Sequence, residues 1–142
     1  MTEDYISQAS IVIMAPIAKV WDALINPAII KQYIFGTDAV SDWKVGSPIT
    51  YSGIWEGTTY TDKGVILDII PEKRLVTTYW SSMSGIADIP ENYKKITYEV
   101  TEEGEGTRLT ITQSNNDTEK AKKESDGNWS MVLYTLKKIL EV

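Results

Sequence analysis

The stretch Gly127–Val142, GNWSMVLYTLKKILEV, decides the fold of this chain because it predicts one long amphipathic helix. At about 100° per residue, its apolar side chains fall on one arc of the helix. Lys137 and Lys138 lie in the last turns, where positive charge suits the carbonyl end of the helix dipole. The arc consists of Trp129, Val132, Leu133, Leu136, Ile139 and Leu140. Such a helix needs a large apolar partner, which the rest of the chain must supply.

The upstream sequence predicts a strand, two short helices and then further strands. Residues 5–14 form a β-branched run that is typical of a first strand. Pro16 opens a helix with one apolar face, and Asn26-Pro27 ends it and caps a second short helix. Beyond residue 40 the apolar period changes to two, which indicates about six antiparallel strands. Asn116, with Glu119 three residues later, has the form of a capping box for the final helix.

Alternation along these strands predicts which side chains face the helix. Each strand has a single apolar face, as expected for an antiparallel sheet that is covered on one side. The predicted inward sets are Ile49, Tyr51, Gly53 and Trp55; Val65, Leu67 and Ile69; Leu75, Thr77 and Tyr79; Ile96, Tyr98 and Val100; and Leu109, Ile111 and Gln113. The fold class is therefore α+β, with the C-terminal helix packed on the sheet.

Length, charge and composition exclude several classes of protein. A chain of 142 residues predicts one domain over residues 1–142. A net charge of −6 argues against a nucleic-acid partner. The acidic N-terminus and the lack of any long apolar stretch predict a cytoplasmic protein with neither a secretory signal nor a membrane span.

The sequence contains no cysteine and no histidine. This excludes disulfides, thiolate nucleophiles and the usual general base, and it leaves only oxygen ligands for a metal. Asp38, Asp42, Glu56 and Asp62 are the carboxylates that could form an acid–base pair or a metal site, but residues at turns are usually solvated. We therefore predict no catalytic residue, no metal and no cofactor.

Aromatic residues with a polar group are unusually frequent. Five Trp and eight Tyr stand against one Phe, a balance that suits either the wall of a half-wet cavity or ordinary core filling. The loop at 81–91 is interpreted either as a flexible connection or as a lid in which Met83 and Ile86 contact an apolar guest.

Several local motifs carry a resemblance that spans nearly the whole chain. They are Ala15-Pro16, Val20-Trp21-Asp22-Ala23-Leu24, Lys63-Gly64-Val65-Ile66-Leu67, Pro71-Glu72-Lys73-Arg74-Leu75-Val76, Gly106-Thr107-Arg108-Leu109-Thr110-Ile111 and Gly127-Asn128-Trp129. With these motifs the chain resembles the helix-grip fold of the START/Bet-v-1-like (SRPBCC) superfamily. Within it, the chain is most similar to the C-terminal domain of activators of the heat-shock protein 90 ATPase.

The resemblance implies a curved sheet of about six to seven strands wrapped round the C-terminal helix, with an apolar cavity between them. The family often has a histidine where Gln113 stands in this sequence. The implied ligand-binding residues, together with Met83 of the possible lid, are Tyr33, Ile34, Trp43, Tyr51, Trp55, Leu67, Tyr79, Ile111, Trp129 and Leu133.

Three functions remain open from the sequence. The first is binding of an apolar or aromatic small molecule under the helix, by a monomer or dimer. The second is interaction with a chaperone, and the third is an enzyme acting on a hydrophobic substrate. On the helix, Trp129, Val132 and Leu133 are expected to face the cavity, while Leu136, Ile139 and Leu140 seal the core.

Overall fold

A computed structural model describes residues 5–34, 36–82 and 84–141, and for Trp55 the backbone alone. The element order confirms the predicted α+β class and the two short helices after the first strand. The elements are β1 (Tyr5–Ile13), α1 (Ile17–Ile25), α2 (Pro27–Tyr33), β2 (Asp38–Ser41), β3 (Pro48–Trp55), β4 (Thr58–Ile70), β5 (Arg74–Tyr79), a 3-10 turn (Pro90–Asn92), β6 (Lys94–Glu103), β7 (Gly106–Asn116) and α3 (Glu119–Leu140).

The strands form one curved antiparallel sheet in the order β1-β7-β6-β5-β4-β3-β2. From β2 to β7 the strands pair in sequence order, and β7 also pairs with β1, so β1 and β2 form the two edges. Helices α1 and α2 connect these edges, and α3 packs mainly on β1 and β7. The sheet thus presents one concave face to α3, which confirms the helix-grip arrangement.

The core lies between the sheet and the C-terminal half of α3. Leu133, Leu136 and Leu140 are buried there, at the i, i+3, i+7 spacing that a single helix face requires. They pack with buried residues from the strands and from α1, including Ile13 and Val20. Leu136 and Leu140 seal the core as predicted, and Leu133 joins them in it.

Helix α3 begins with Thr118 as its N-cap, so the prediction that Asn116 caps this helix is wrong. The Thr118 hydroxyl accepts a hydrogen bond from the backbone N–H of Ala121 at 3.0 Å. Asn116 instead ends β7, where it pairs with Tyr5 of β1 and is buried. Both side chains can cap a helix, but Asn116 is held in strand pairing, and the extended residue that directly precedes the helix is Thr118.

The inward face of β4 is shifted by one residue from the prediction. Ile66 is fully buried, whereas the side chains of Val65 and Leu67 are 39% and 46% exposed. The pairing of β4 with β5 also shifts register between Ile66 and Asp68, and such a bulge changes the face that later residues present. Leu67 therefore points away from α3, and its assignment to the inner face is wrong.

One glycine in α3 allows a first prediction. Gly127 lies in the exposed middle of the helix, and a Cβ added there meets no atom within 4 Å. Alanine lowers the backbone entropy of the unfolded chain, so Gly127→Ala should stabilise the protein by about 0.5–1 kcal/mol. Urea unfolding followed by circular dichroism measures the effect. A loss of stability would contradict an unobstructed helix at this position.

Candidate functional site

A cavity of about 620 Å³ lies between the concave face of the sheet and the N-terminal half of α3. The exposed residues Glu124 and Asn128 of α3 are part of its lining, so the cavity opens to the surface beside the helix. Its lining residues are Ile34, Thr37, Tyr51, Tyr60, Asp62, Thr77, Tyr79, Lys94, Ile96, Tyr98, Gln113, Asn116, Ala121, Glu124, Ser125, Asn128, Trp129 and Val132.

Aromatic rings form much of the wall. The rings of Tyr51 and Tyr79 lie 6.4 Å apart with a tilt of 59°, and Trp129 meets the ring of Tyr98 edge-on at 6.1 Å. These are favourable geometries for aromatic pairs, which hold such rings in place. Burial raises the pKa of Tyr51 and of Tyr98 above the usual range, so both present neutral phenols to the cavity.

Asp62 contributes a carboxylate to this wall. It lies opposite Tyr51 in the β3–β4 ladder and is only 8% exposed. Its Oδ2 accepts a hydrogen bond from the Tyr79 hydroxyl at 2.6 Å, and its Oδ1 accepts one from the backbone N–H of Ser82 at 3.2 Å. Burial and then this bond to Asp62 raise the pKa of Tyr79, so Tyr79 remains a donor.

A hydrogen-bonded chain of an indole, two side-chain amides and a backbone carbonyl begins at Trp129 in the cavity wall. The indole N–H of Trp129 donates to Gln113 Oε1 at 2.9 Å, and Gln113 Nε2 donates to Asn116 Oδ1 at 3.0 Å. Asn116 Nδ2 then donates to the Tyr5 carbonyl at 2.7 Å. Gln113 thus holds the indole ring of Trp129 in place.

The predicted ligand-binding residues fall into three groups in the structure. Ile34, Tyr51, Tyr79 and Trp129 line the cavity together. Tyr33, Ile111 and Leu133 lie in the core beneath it, around a void of only about 10 Å³. Trp43 packs half-buried against the core without lining the cavity, and Leu67 is on the outer face. Met83 and the side chain of Trp55 lie outside the described residues.

Several lining residues were missed because they are polar residues on an inward face. Tyr60 and Asp62 follow from Ile66 by steps of two through Gly64, so the correct phase of β4 was sufficient to find them. Of the four candidate carboxylates, Asp38, Asp42 and Glu56 do not line the cavity; Asp38 forms a surface ion pair with Lys31 at 3.1 Å.

The cavity wall offers three kinds of contact: aromatic rings, neutral hydrogen-bond donors and one buried carboxylate. Over residues 5–34, 36–82 and 84–141, no group of three or more acidic side chains is placed to hold a metal ion. In the same part of the chain, no buried side-chain nitrogen or oxygen lacks a hydrogen-bond partner. The buried polar side-chain atoms of this wall are therefore all bonded within the protein.

A curved antiparallel sheet that grips a long C-terminal helix and leaves a cavity between them defines the helix-grip class of protein. The sequence profile of the family described as "Activator of Hsp90 ATPase homolog 1-like protein" matches residues 14–141, and the chain belongs to this family. No match was found among curated proteins.

Solved structures share the fold over nearly the whole chain. ChR145 from Cytophaga hutchinsonii is 48% identical, with a TM-score of 0.84 over 96% of this chain and 93% of its own. The Aha1 dimer from Colwellia psychrerythraea is 20% identical, with a TM-score of 0.74 over 96% of each chain. DynU16, a protein in the dynemicin biosynthetic locus, is 17% identical with a TM-score of 0.82; the match covers 99% of this chain and 48% of DynU16.

None of the helices within the described residues has the length and apolar character that a membrane crossing requires.

Proposed function

We propose that this protein binds an apolar or aromatic small molecule in the cavity under α3. The observation that supports the proposal is the cavity itself, about 620 Å³ with walls of tyrosine, tryptophan and aliphatic side chains. Sites for small molecules commonly measure about 300–1,000 Å³ and combine apolar walls with a few fixed polar groups. The same combination is found here.

The expected driving force is burial of the ligand's apolar surface. A guest that loses about 200 Å² of apolar area to the cavity gains about 5 kcal/mol, before the entropic cost of binding is subtracted. Because the rings of Tyr98 and Trp129 are already held by each other and by Gln113, little further ordering of the wall is required. A gain of about 5 kcal/mol corresponds to a Kd of about 0.2 mM before that cost, so tighter binding requires a larger buried area or additional polar contacts.

The test is a panel of fatty acids, sterols and aromatic metabolites, screened by the shift in melting temperature and followed by calorimetry. A ligand that binds the folded state alone raises the melting temperature with its concentration. No shift at millimolar ligand, across the whole panel, contradicts the proposal.

A variant that fills the cavity makes the test specific. Val132 is half-buried and lines the cavity, so Val132→Trp should keep the fold and weaken binding at least about tenfold by occupying the ligand's space. The matched control is Tyr134→Trp on the exposed side of the same helix, which should bind normally. Leu133→Trp should instead destabilise the protein, because Leu133 has no comparable space. Unchanged binding by Val132→Trp locates the ligand elsewhere.

Membership of the ATPase-activator family supports a second proposal, interaction with a chaperone. The test is the ATPase rate of the chaperone from the same source, measured with and without this protein. A rate that is unchanged, together with no association at micromolar concentration, rejects this proposal and leaves ligand binding unaffected.

A further inference from the structure

We propose that the ligand carries an ammonium group, and that Asp62 receives this group beside Tyr51 and Tyr79. This inference deepens the proposed function and rests on it. It concerns the chemical class of the ligand: a primary ammonium attached to an apolar or aromatic body.

The first argument is the unmatched charge of Asp62. Its donors among the described residues are a tyrosine hydroxyl and a backbone N–H, and no lysine or arginine of that part of the chain forms an ion pair with it. A carboxylate has about four lone-pair sites, so further donors can be accepted. A buried carboxylate is costly unless a positive charge balances it, and a ligand ammonium supplies both that charge and up to three donors.

The second argument is the arrangement of the rings around this carboxylate. Tyr51 is the direct cross-strand neighbour of Asp62, and Tyr79 is bonded to it. The two ring centroids are 6.4 Å apart, so both rings lie close to a group bound at Asp62. An aromatic ring attracts a cation through its quadrupole when the cation lies over the ring face, and most strongly where water is excluded.

The other charged residues that line the cavity do not oppose a cation at Asp62. Lys94 Nζ donates to the Asn115 carbonyl at 3.0 Å, and its strand β6 is two strands from β4, a distance of about 10 Å. Glu124 adds a negative charge near the opening. The net charge of −6 further raises the local concentration of cations and lowers that of anions.

Three probes with one ring system separate charge from apolar fit: tryptamine, 3-propylindole and indole-3-propionate. If indole does not bind, the corresponding amine, alkyl and carboxylate forms are made on the ring of the tightest neutral ligand from the panel. Calorimetry on the full chain should show the amine binding at least about tenfold more tightly than its neutral analogue, through a charge-assisted hydrogen bond. The carboxylate should bind most weakly.

Asp62→Asn should reduce the affinity for the amine to that of the neutral probe and leave the neutral affinity unchanged. The single side-chain oxygen of asparagine can accept from the Ser82 N–H, and its NH2 can donate to the Tyr79 hydroxyl, so folding should be retained; the melting temperature and near-UV circular dichroism verify this. The matched control is Asp68→Asn, the same change on the same strand at a residue that does not line the cavity. This variant should keep the preference for the amine.

The outcomes separate the two levels of the proposal. Equal affinities for the amine and the neutral probe, or a preference that persists in Asp62→Asn, overturn the ammonium inference but leave ligand binding standing. Tighter binding of the carboxylate assigns recognition to Lys94 and likewise overturns it. Failure of every panel member to bind rejects the proposed function and the inference with it.

Discussion

Gly64→Ala is expected to destabilise the protein by more than about 4 kcal/mol, or to prevent folding, because β4 and β5 approach each other too closely for a side chain. A Cβ at Gly64 would lie 1.7 Å from the carbonyl oxygen of Thr78 and 2.5 Å from its carbon. These are backbone atoms of a paired strand, so no rotamer change relieves the clash. Nearby, the Val65 N–H bonds to the Thr78 hydroxyl at 2.8 Å instead of to a carbonyl.

Urea unfolding of Gly64→Ala beside the wild type measures this effect. Gly127→Ala is the matched control, since it adds the same methyl group where no atom lies within 4 Å. A Gly64→Ala variant within about 1 kcal/mol of the wild type would show that β5 can move away from β4 without cost.

The close approach at Gly64 also positions the site. Gly64 lies between Asp62 and Ile66 on the inward face of β4, and the isolated bridge between Lys63 and Trp80 holds the strands together there. Tyr79 precedes this bridge on β5, so its hydroxyl comes within 2.6 Å of Asp62. Any change that separates the two strands should therefore disturb the carboxylate as well as stability.

The helices were the predictable part of this fold because each has one apolar face at helical spacing. Helices α1, α2 and the C-terminal half of α3 follow from that spacing, and Asn26 caps α2 as predicted through a 3.0 Å bond from the Ala28 N–H. The faces of β5, β6 and β7 follow from alternation in the same way, since their inward residues Leu75, Ile96 and Leu109 are buried.

Strand β4 and the start of α3 were not predictable by those rules. Alternation assumes that the inward face is apolar, but where a strand lines a cavity the inward face carries polar and small residues, here Asp62 and Gly64. The apolar Val65 and Leu67 then suggest the opposite phase. The prediction that Asn116 caps α3 was wrong for a related reason. The sequence around Asn116 has the form of a capping box, but it does not show that this residue pairs with β1, which comes from the other end of the chain.

Asn116→Asp is also expected to destabilise the protein strongly, and the loss of stability should depend on pH. Asn116 is 3% exposed, and its Nδ2 donates to the carbonyl oxygens of Tyr5 at 2.7 Å and Gln113 at 3.1 Å. Aspartate replaces that donor by an oxygen facing two acceptors in a buried site. At pH 7 the variant should therefore lose about 3 kcal/mol or more of stability.

The direction of the pH dependence follows from the same contacts. Burial among acceptors disfavours the ionised carboxylate, so the pKa of this aspartate is raised in the folded state above its unfolded value of about 3.9. The native state of the variant then binds the proton more tightly than the unfolded state. The variant's loss of stability relative to wild type is therefore complete above the folded pKa and becomes smaller as the pH falls toward the unfolded pKa.

Urea unfolding of both proteins at pH 7 and pH 5 measures this difference. Asn128→Asp, the same substitution at an exposed position of α3, should show almost no deficit at either pH. A deficit in Asn116→Asp that stays constant between pH 7 and pH 5, or that grows toward pH 5, would mean that Asn116 does not act as the buried donor joining β1 to β7.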